Sequence, residues 1–138
     1  MMPVILNLPK FEAAKYVPQG PWDLIRIADP AGWHINLDKK IEKRYNSIHE
    51  FEFLDADSGF EEEFLFQADQ AKQIMDILVD ALNNDRNVLV HCNMGICRSG
   101  AVTEVGTLIG FEDTGRFRQP NLRVKNLLIY EAMDRGLL

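Results

Sequence analysis

The stretch Val88-Leu89-Val90-His91-Cys92-Asn93-Met94-Gly95-Ile96-Cys97-Arg98-Ser99-Gly100 decides how the rest of the chain reads. Val88 to Val90 is an apolar run that follows the polar Asn83-Asn84-Asp85-Arg86-Asn87, the pattern of a buried strand entered from a turn. Cys92 then falls at the carboxyl end of that strand. Beyond Arg98, the residues Val102, Val105 and Ile109 share one helical face and Gly110 supplies a stop. Residues 93 to 98 are therefore a strand-to-helix loop. In open α/β sheets the ligand crevice lies beyond the carboxyl ends of the strands, and a helix N-terminus offers unpaired N–H groups and a favourable dipole to an anion. A loop curled around Gly95 can aim the amides of Asn93, Met94, Gly95, Ile96, Cys97 and Arg98 at one phosphate. The same field favours a thiolate at Cys92, and a thiolate is a ready nucleophile. Arg98 brings a planar fork of donors suited to two phosphate oxygens, and Ser99 is placed to hydrogen-bond the sulfur and help it leave. A buried structural cysteine in a tight turn, with Arg98 as an ordinary helix residue, would explain fewer of these features.

The segment His91-Cys92-Asn93-Met94-Gly95-Ile96-Cys97-Arg98-Ser99 resembles the HCxxGxxRS signature of the cysteine-dependent protein tyrosine phosphatases, in particular the compact dual-specificity type. Asp29-Pro30, the segment Phe53-Leu54-Asp55 and Pro120-Asn121-Leu122-Arg123-Val124 extend the likeness to short bacterial and phage-type tyrosine phosphatases, over about residues 24 to 133. The chain departs from that pattern at Cys97 and in the loop from Phe111 to Gln119. The resemblance implies a two-step phosphomonoester hydrolase in which Cys92 takes the phosphoryl group and water then releases it. Such a reaction needs an acid to protonate the leaving oxygen. Asp55 and Asp57, in the polar loop that follows the strand ending near Leu54, are the candidates. Asp55 is preferred because Phe53-Leu54-Asp55 matches the apolar-x-Asp that closes this strand in related phosphatases. One of the pair is expected to be only a turn or capping residue. The interval between acid and cysteine is longer here than in the family, and Ser58 to Phe66 can hold the extra residues.

His91 is read as orienting the cysteine loop by hydrogen bonding rather than as a base. His34 and His49 lack neighbours at metal-ligand spacing and read as surface or structural residues, so no metal and no cofactor are expected. Cys97 either fills the inner side of the loop or serves as a resolving thiol for an oxidised Cys92; the first reading is preferred, because a short curled loop does not readily bring two sulfurs to disulfide geometry.

The chain of 138 residues, 46% hydrophobic and 26% charged, suits a single domain, residues 1 to 138, able to bury about two thirds of its unfolded surface. Strands are expected at Val4–Leu6, Leu24–Ile27, His49–Leu54 and Val88–His91. Helices are expected at Phe11–Tyr16, over Phe64 to Leu82, over Arg98 to Gly110, and from Pro120-Asn121 to Gly136. The fold class is thus α/β, a central, mostly parallel sheet of about four strands flanked by helices, as in the protein tyrosine phosphatases. Two cysteines, both in the loop, do not make a disulfide framework and fit a reducing, cytoplasmic compartment; no stretch reads as a signal peptide or a membrane span. A net charge of −6 argues against a nucleic-acid backbone or anionic lipid as the main partner. Lys39, Lys40, Lys43 and Arg44 read as a solvated face rather than the rim of a substrate cleft. The expected partner is a phosphorylated protein or a small phosphomonoester, met by a monomer. An RNA 5′-phosphate or a phosphoinositide would suit the same chemistry, and a phosphotyrosine-binding pseudophosphatase is the reading of another class.

Overall fold

The computed structural model describes residues 2–138. Its elements run β1 (Val4–Pro9), α1 (Lys10–Lys15), β2 (Trp22–Ala28), α2 (Lys39–Glu42), β3 (Ser47–Glu52), a 3-10 turn (Glu62–Phe64), α3 (Ala68–Asn83), β4 (Asn87–Cys92), α4 (Arg98–Ile109), β5 (Glu112–Asp113) and α5 (Leu122–Asp134). The strands form one sheet in the order β3-β2-β4-β1-β5, and every pairing is parallel. The sheet therefore has five strands, not about four. The extra one, β5, is a two-residue edge strand of two acids beside Val4 and Ile5, with no hydrophobic alternation to announce it.

β2 and β4 lie in the middle of the sheet and read accordingly: every residue of β2 is buried, as is β4 from Val88 to Cys92. The sheet separates two apolar layers. On one face α3 lays down Ala71, Ile74, Met75, Leu78 and Ala81, the stripe expected from helical spacing, against Ile25, Ile27, Val88 and Val90. α4 is sandwiched on the same face between the sheet and α5, which is why Arg98 through Thr103 are all buried. The other face is covered more thinly by Ala13 of α1 and by Tyr45, around Leu8, Trp22, Leu24 and Leu89.

The expected helix over Phe64 to Leu82 begins later. Glu62–Phe64 is a 3-10 turn, Leu65 is extended, Leu65 and Phe66 are buried, and α3 starts behind a Gln67–Gln70 capping box. Phe66 turns inward because its ring packs on Phe53, with centroids 4.7 Å apart. The basic group at Lys39 to Arg44 is the short helix α2 and the turn after it, exposed as a solvated face should be. No helix among the described residues is long and apolar enough to cross a membrane.

The amino edge of the sheet is pinned by a buried carboxylate. Asp23, 1% exposed, accepts from Arg86 Nε at 2.9 Å, Asn46 Nδ2 at 2.8 Å and Ser47 Oγ at 2.7 Å, joining β2 to the starts of β3 and β4. Removing one partner of such a group leaves the others desolvated and unmatched. Asp23→Ala is expected to cost about 3 kcal/mol in urea unfolding while leaving the opposite edge of the sheet intact. A loss below about 1 kcal/mol would mean that the cluster is not a fastening.

Candidate active site

The carboxyl edge of the sheet gathers the chain segments that the sequence singles out. Cys92 ends β4 in register with Pro9 of β1, and its buried Sγ lies 3.2 Å from Ser99 Oγ in the first turn of α4. Between them the loop 93–97 bends through Gly95 at φ +71°. A Cβ at that position would meet Pro9 N at 2.2 Å and Leu8 C at 2.3 Å, so only glycine allows the loop to lie against the end of β1.

The loop carbonyls are held by the scaffold around it. Asn93 O accepts from Lys10 N at 3.4 Å, Gly95 O from Asn7 Nδ2 at 2.7 Å, Ile96 O from Gln119 N at 3.1 Å and Cys97 O from Asn121 N at 3.0 Å. In a trans peptide the C=O and the following N–H point opposite ways. Carbonyls drawn outward therefore turn the amides of Met94, Ile96, Cys97 and Arg98 away from the scaffold, toward the hollow of the loop. Together with the N-terminus of α4 this makes a nest of donors suited to an anion.

Arg98 is only 4% exposed and is held at one corner of its guanidinium. Nη1 donates to Asp29 Oδ1 at 2.8 Å and to Phe53 O at 2.7 Å, whereas the buried Nε has no hydrogen-bond partner. The side chain is thus anchored by the ends of β2 and β3 with part of its donor fork still uncommitted. A cleft of about 270 Å³ is lined by Asp29, Asp55, Cys92, Asn93, Met94, Cys97 and Arg98. A larger hollow of about 620 Å³ lies by Arg26, Lys39, Glu42 and Glu50, away from the cysteine, and its mix of both charges suggests no particular chemistry.

The two candidate acids part company. Asp55 lines the cleft and its Oδ1 accepts from Asn121 Nδ2 at 2.8 Å. Asp57 turns to the start of α5, where Oδ1 accepts from the backbone N–H of Arg123 at 3.1 Å, the bond of a capping carboxylate. Cys97 sits at the N-cap of α4, half-buried in the cleft. Burial pushes its thiol pKa up, and the charge and hydrogen-bonding of Asp55 push it further. It lines the same cleft as Asp55. Both cysteines are free thiols.

His91 departs from expectation. Side chains alternate along a strand, so the residue before Cys92 faces the other side of the sheet. There its Nε2 accepts from Arg26 Nε at 3.0 Å, and its ring meets that of His34 edge-on with centroids 6.2 Å apart. The hydrogen bond expected from His91 to the cysteine loop is not made. Because an arginine N–H can only donate, the neutral ring carries its proton on Nδ1, which is buried without a partner. His34 is half-buried beside it with Nε2 unpartnered, and His49 Nε2 lies 2.9 Å from Ser47 Oγ.

Two residues of the site are not evident from the motif. Asp29, which the sequence marks only through the Asp29-Pro30 likeness and without a role, pairs with Arg98 and lines the cleft. The argument that found Asp55, a polar residue just beyond a parallel strand, applies equally to it. Asn121, legible as a helix start and as part of the likeness but with no role of its own, reaches Asp55.

Burial, with the Arg26 charge second and His34 third, pushes the His91 pKa down to about 3. Unfolding releases an imidazole of ordinary pKa near 6.5, so between those values the unfolded chain binds more protons and stability falls as pH falls. His91→Gln, whose Oε1 can still accept from Arg26, is expected to flatten the stability-versus-pH curve between about pH 6.5 and 3 by up to about 1.4 kcal/mol per pH unit. An unchanged slope in denaturant titrations would show that the imidazole is not held neutral.

No family model and no curated protein matches this chain, so what the cleft does must be read from its own geometry.

Proposed function

We propose that the protein is a phosphomonoester hydrolase of the protein tyrosine and dual-specificity phosphatase type, working through a phosphocysteine. The observation that carries this reading is a cleft lined by both Cys92 and a buried, partly uncommitted Arg98 guanidinium, beside a loop whose carbonyls at Asn93, Gly95, Ile96 and Cys97 are drawn outward. A structural cysteine needs none of these. A phosphoryl group seated in the loop would accept from its amides and from Arg98, with phosphorus in front of Sγ.

In the first step the Cys92 thiolate attacks phosphorus. The S–P bond forms as the P–O bond to the leaving group breaks, and Asp55 delivers a proton to the departing oxygen. In the second step Asp55, now a carboxylate, takes a proton from water as its oxygen attacks phosphorus; the S–P bond breaks and inorganic phosphate leaves. Ser99 at 3.2 Å stabilises the sulfur as it departs with the electron pair. Arg98 serves both steps, because the charge on the equatorial oxygens must be balanced in each.

Free thiols at both cysteines fit a reducing, cytoplasmic setting. A phosphorylated protein or a small phosphomonoester is the substrate class that the acidic surface, at net −6, favours over polyanions.

The test is hydrolysis of p-nitrophenyl phosphate. Wild-type protein is expected to turn it over, with Cys92→Ser slower by at least about a thousandfold in kcat and Arg98→Lys impaired in both kcat and KM. Binding of phosphotyrosine without wild-type turnover would instead make the protein a binding module.

A further inference from the structure

The geometry points to Asn121 as the positioning residue of the general acid, selecting which oxygen of Asp55 carries the transferable proton. This inference rests on the phosphatase reading and adds to it a residue outside the cysteine loop.

Asn121 is buried, 8% exposed, and each of its polar groups has an assigned partner. Its Oδ1 accepts from Val124 N at 3.0 Å, capping α5. Because a backbone N–H can only donate, that bond decides the orientation of the amide: Oδ1 must face the helix and Nδ2 must face Asp55, where it donates to Oδ1 at 2.8 Å. Its backbone N–H donates to Cys97 O at 3.0 Å, the last loop carbonyl before Arg98. One residue thus ties together the cysteine loop, the acid loop and the start of α5. The neighbouring Arg123 adds a second tie, its backbone N–H donating to Asp57 at 3.1 Å and its Nε to Phe66 O at 2.9 Å.

The consequence is a constraint on one proton. Asp55 lies on an exposed loop and must be protonated when the leaving group departs. While its Oδ1 accepts from Nδ2–H of Asn121, the proton belongs on Oδ2, so Asn121 fixes both the place of the carboxyl and the oxygen that delivers the proton. The other ionisable groups lining that cleft are Asp29, Cys92, Cys97 and Arg98, with Asp57 and Arg123 behind the loop.

Asn121→Ser and Asn121→Asp both keep an oxygen able to cap α5, but neither donates to Asp55 as the amide does. Acid catalysis matters most for poor leaving groups, so kcat/KM is compared for phenyl phosphate and 2,4-dinitrophenyl phosphate, alongside Asp55→Asn. Asn121→Ser is expected to lower the phenyl to dinitrophenyl ratio by about tenfold, and to cause no further loss in an Asp55→Asn background. Asn121→Asp sets a second carboxyl against Asp55, and the limb of the pH profile that falls as the acid loses its proton should move to higher pH.

Equal losses on both substrates, an unmoved limb and full additivity with Asp55→Asn would reduce Asn121 to a helix cap and overturn the inference alone. If Asp55→Asn itself leaves ratio and limb unchanged, the acid assignment falls and this inference falls with it. Thermal melts establish that each variant is folded; if Asn121→Ser is not, the nearly isosteric Asn121→Asp carries the test.

Discussion

Gly95 lies so close to the end of β1 that a Cβ would come within 2.2 Å of Pro9 N, and the rest of the carboxyl edge depends on that backbone contact. It places the loop where Asn7, Lys10, Gln119 and Asn121 can take up its carbonyls, from segments far apart in the chain. Once the carbonyls are drawn outward, peptide planarity turns the amides inward without any further side chain. The parallel β1–β4 ladder carries the contact, since it registers Pro9 beside Cys92. A hydrophobic core thereby sets the position of a polar nest: Val88 and Val90, both fully buried, hold β4 at the depth that fixes where Cys92 emerges.

Arg98 shows how a buried cation is kept both paired and available. Desolvating a guanidinium is costly unless its donors are met. Nη1 meets an Asp29 carboxylate and the Phe53 carbonyl, supplied by the ends of two strands that lie on the same side of β4 in the sheet. Nε is left buried without a partner, so part of the donor fork remains uncommitted. The loop bearing Asp55 and Asp57 arrives by the same topological route, from the end of β3, and is fastened to α5 through Asn121 and Arg123.

Much of this was legible in the chain because it is local. The strand, Cys92, Gly95, Arg98 and the helix behind it are contiguous, and the stripe of α3 follows a regular period. What was not legible is long-range. Arg98 to Asp29 spans 69 residues and Asn121 to Asp55 spans 66, and no periodicity encodes such pairings. The preference for Asp55 over Asp57 is legible in Phe53-Leu54-Asp55, but the partners of the two carboxylates, Asn121 and the Arg123 N–H, are set by how the loop docks on α5. β5 carries no signal in the sequence, because two acids become a strand only when β1 offers them an edge. His91 is the opposite case: strand alternation alone places it on the face away from Cys92, and the expectation that it orients the loop set that signal aside.

The most direct test of the account is the covalent intermediate itself. Rapid acid quenching of the protein during turnover of p-nitrophenyl phosphate, followed by digestion and mass spectrometry, should find a phosphoryl group on the peptide containing Cys92. It should be absent in Cys92→Ser and should accumulate when Asp55→Asn slows the attack of water. Steady hydrolysis with no phosphopeptide at Cys92, or with the phosphoryl group on another residue, would contradict it.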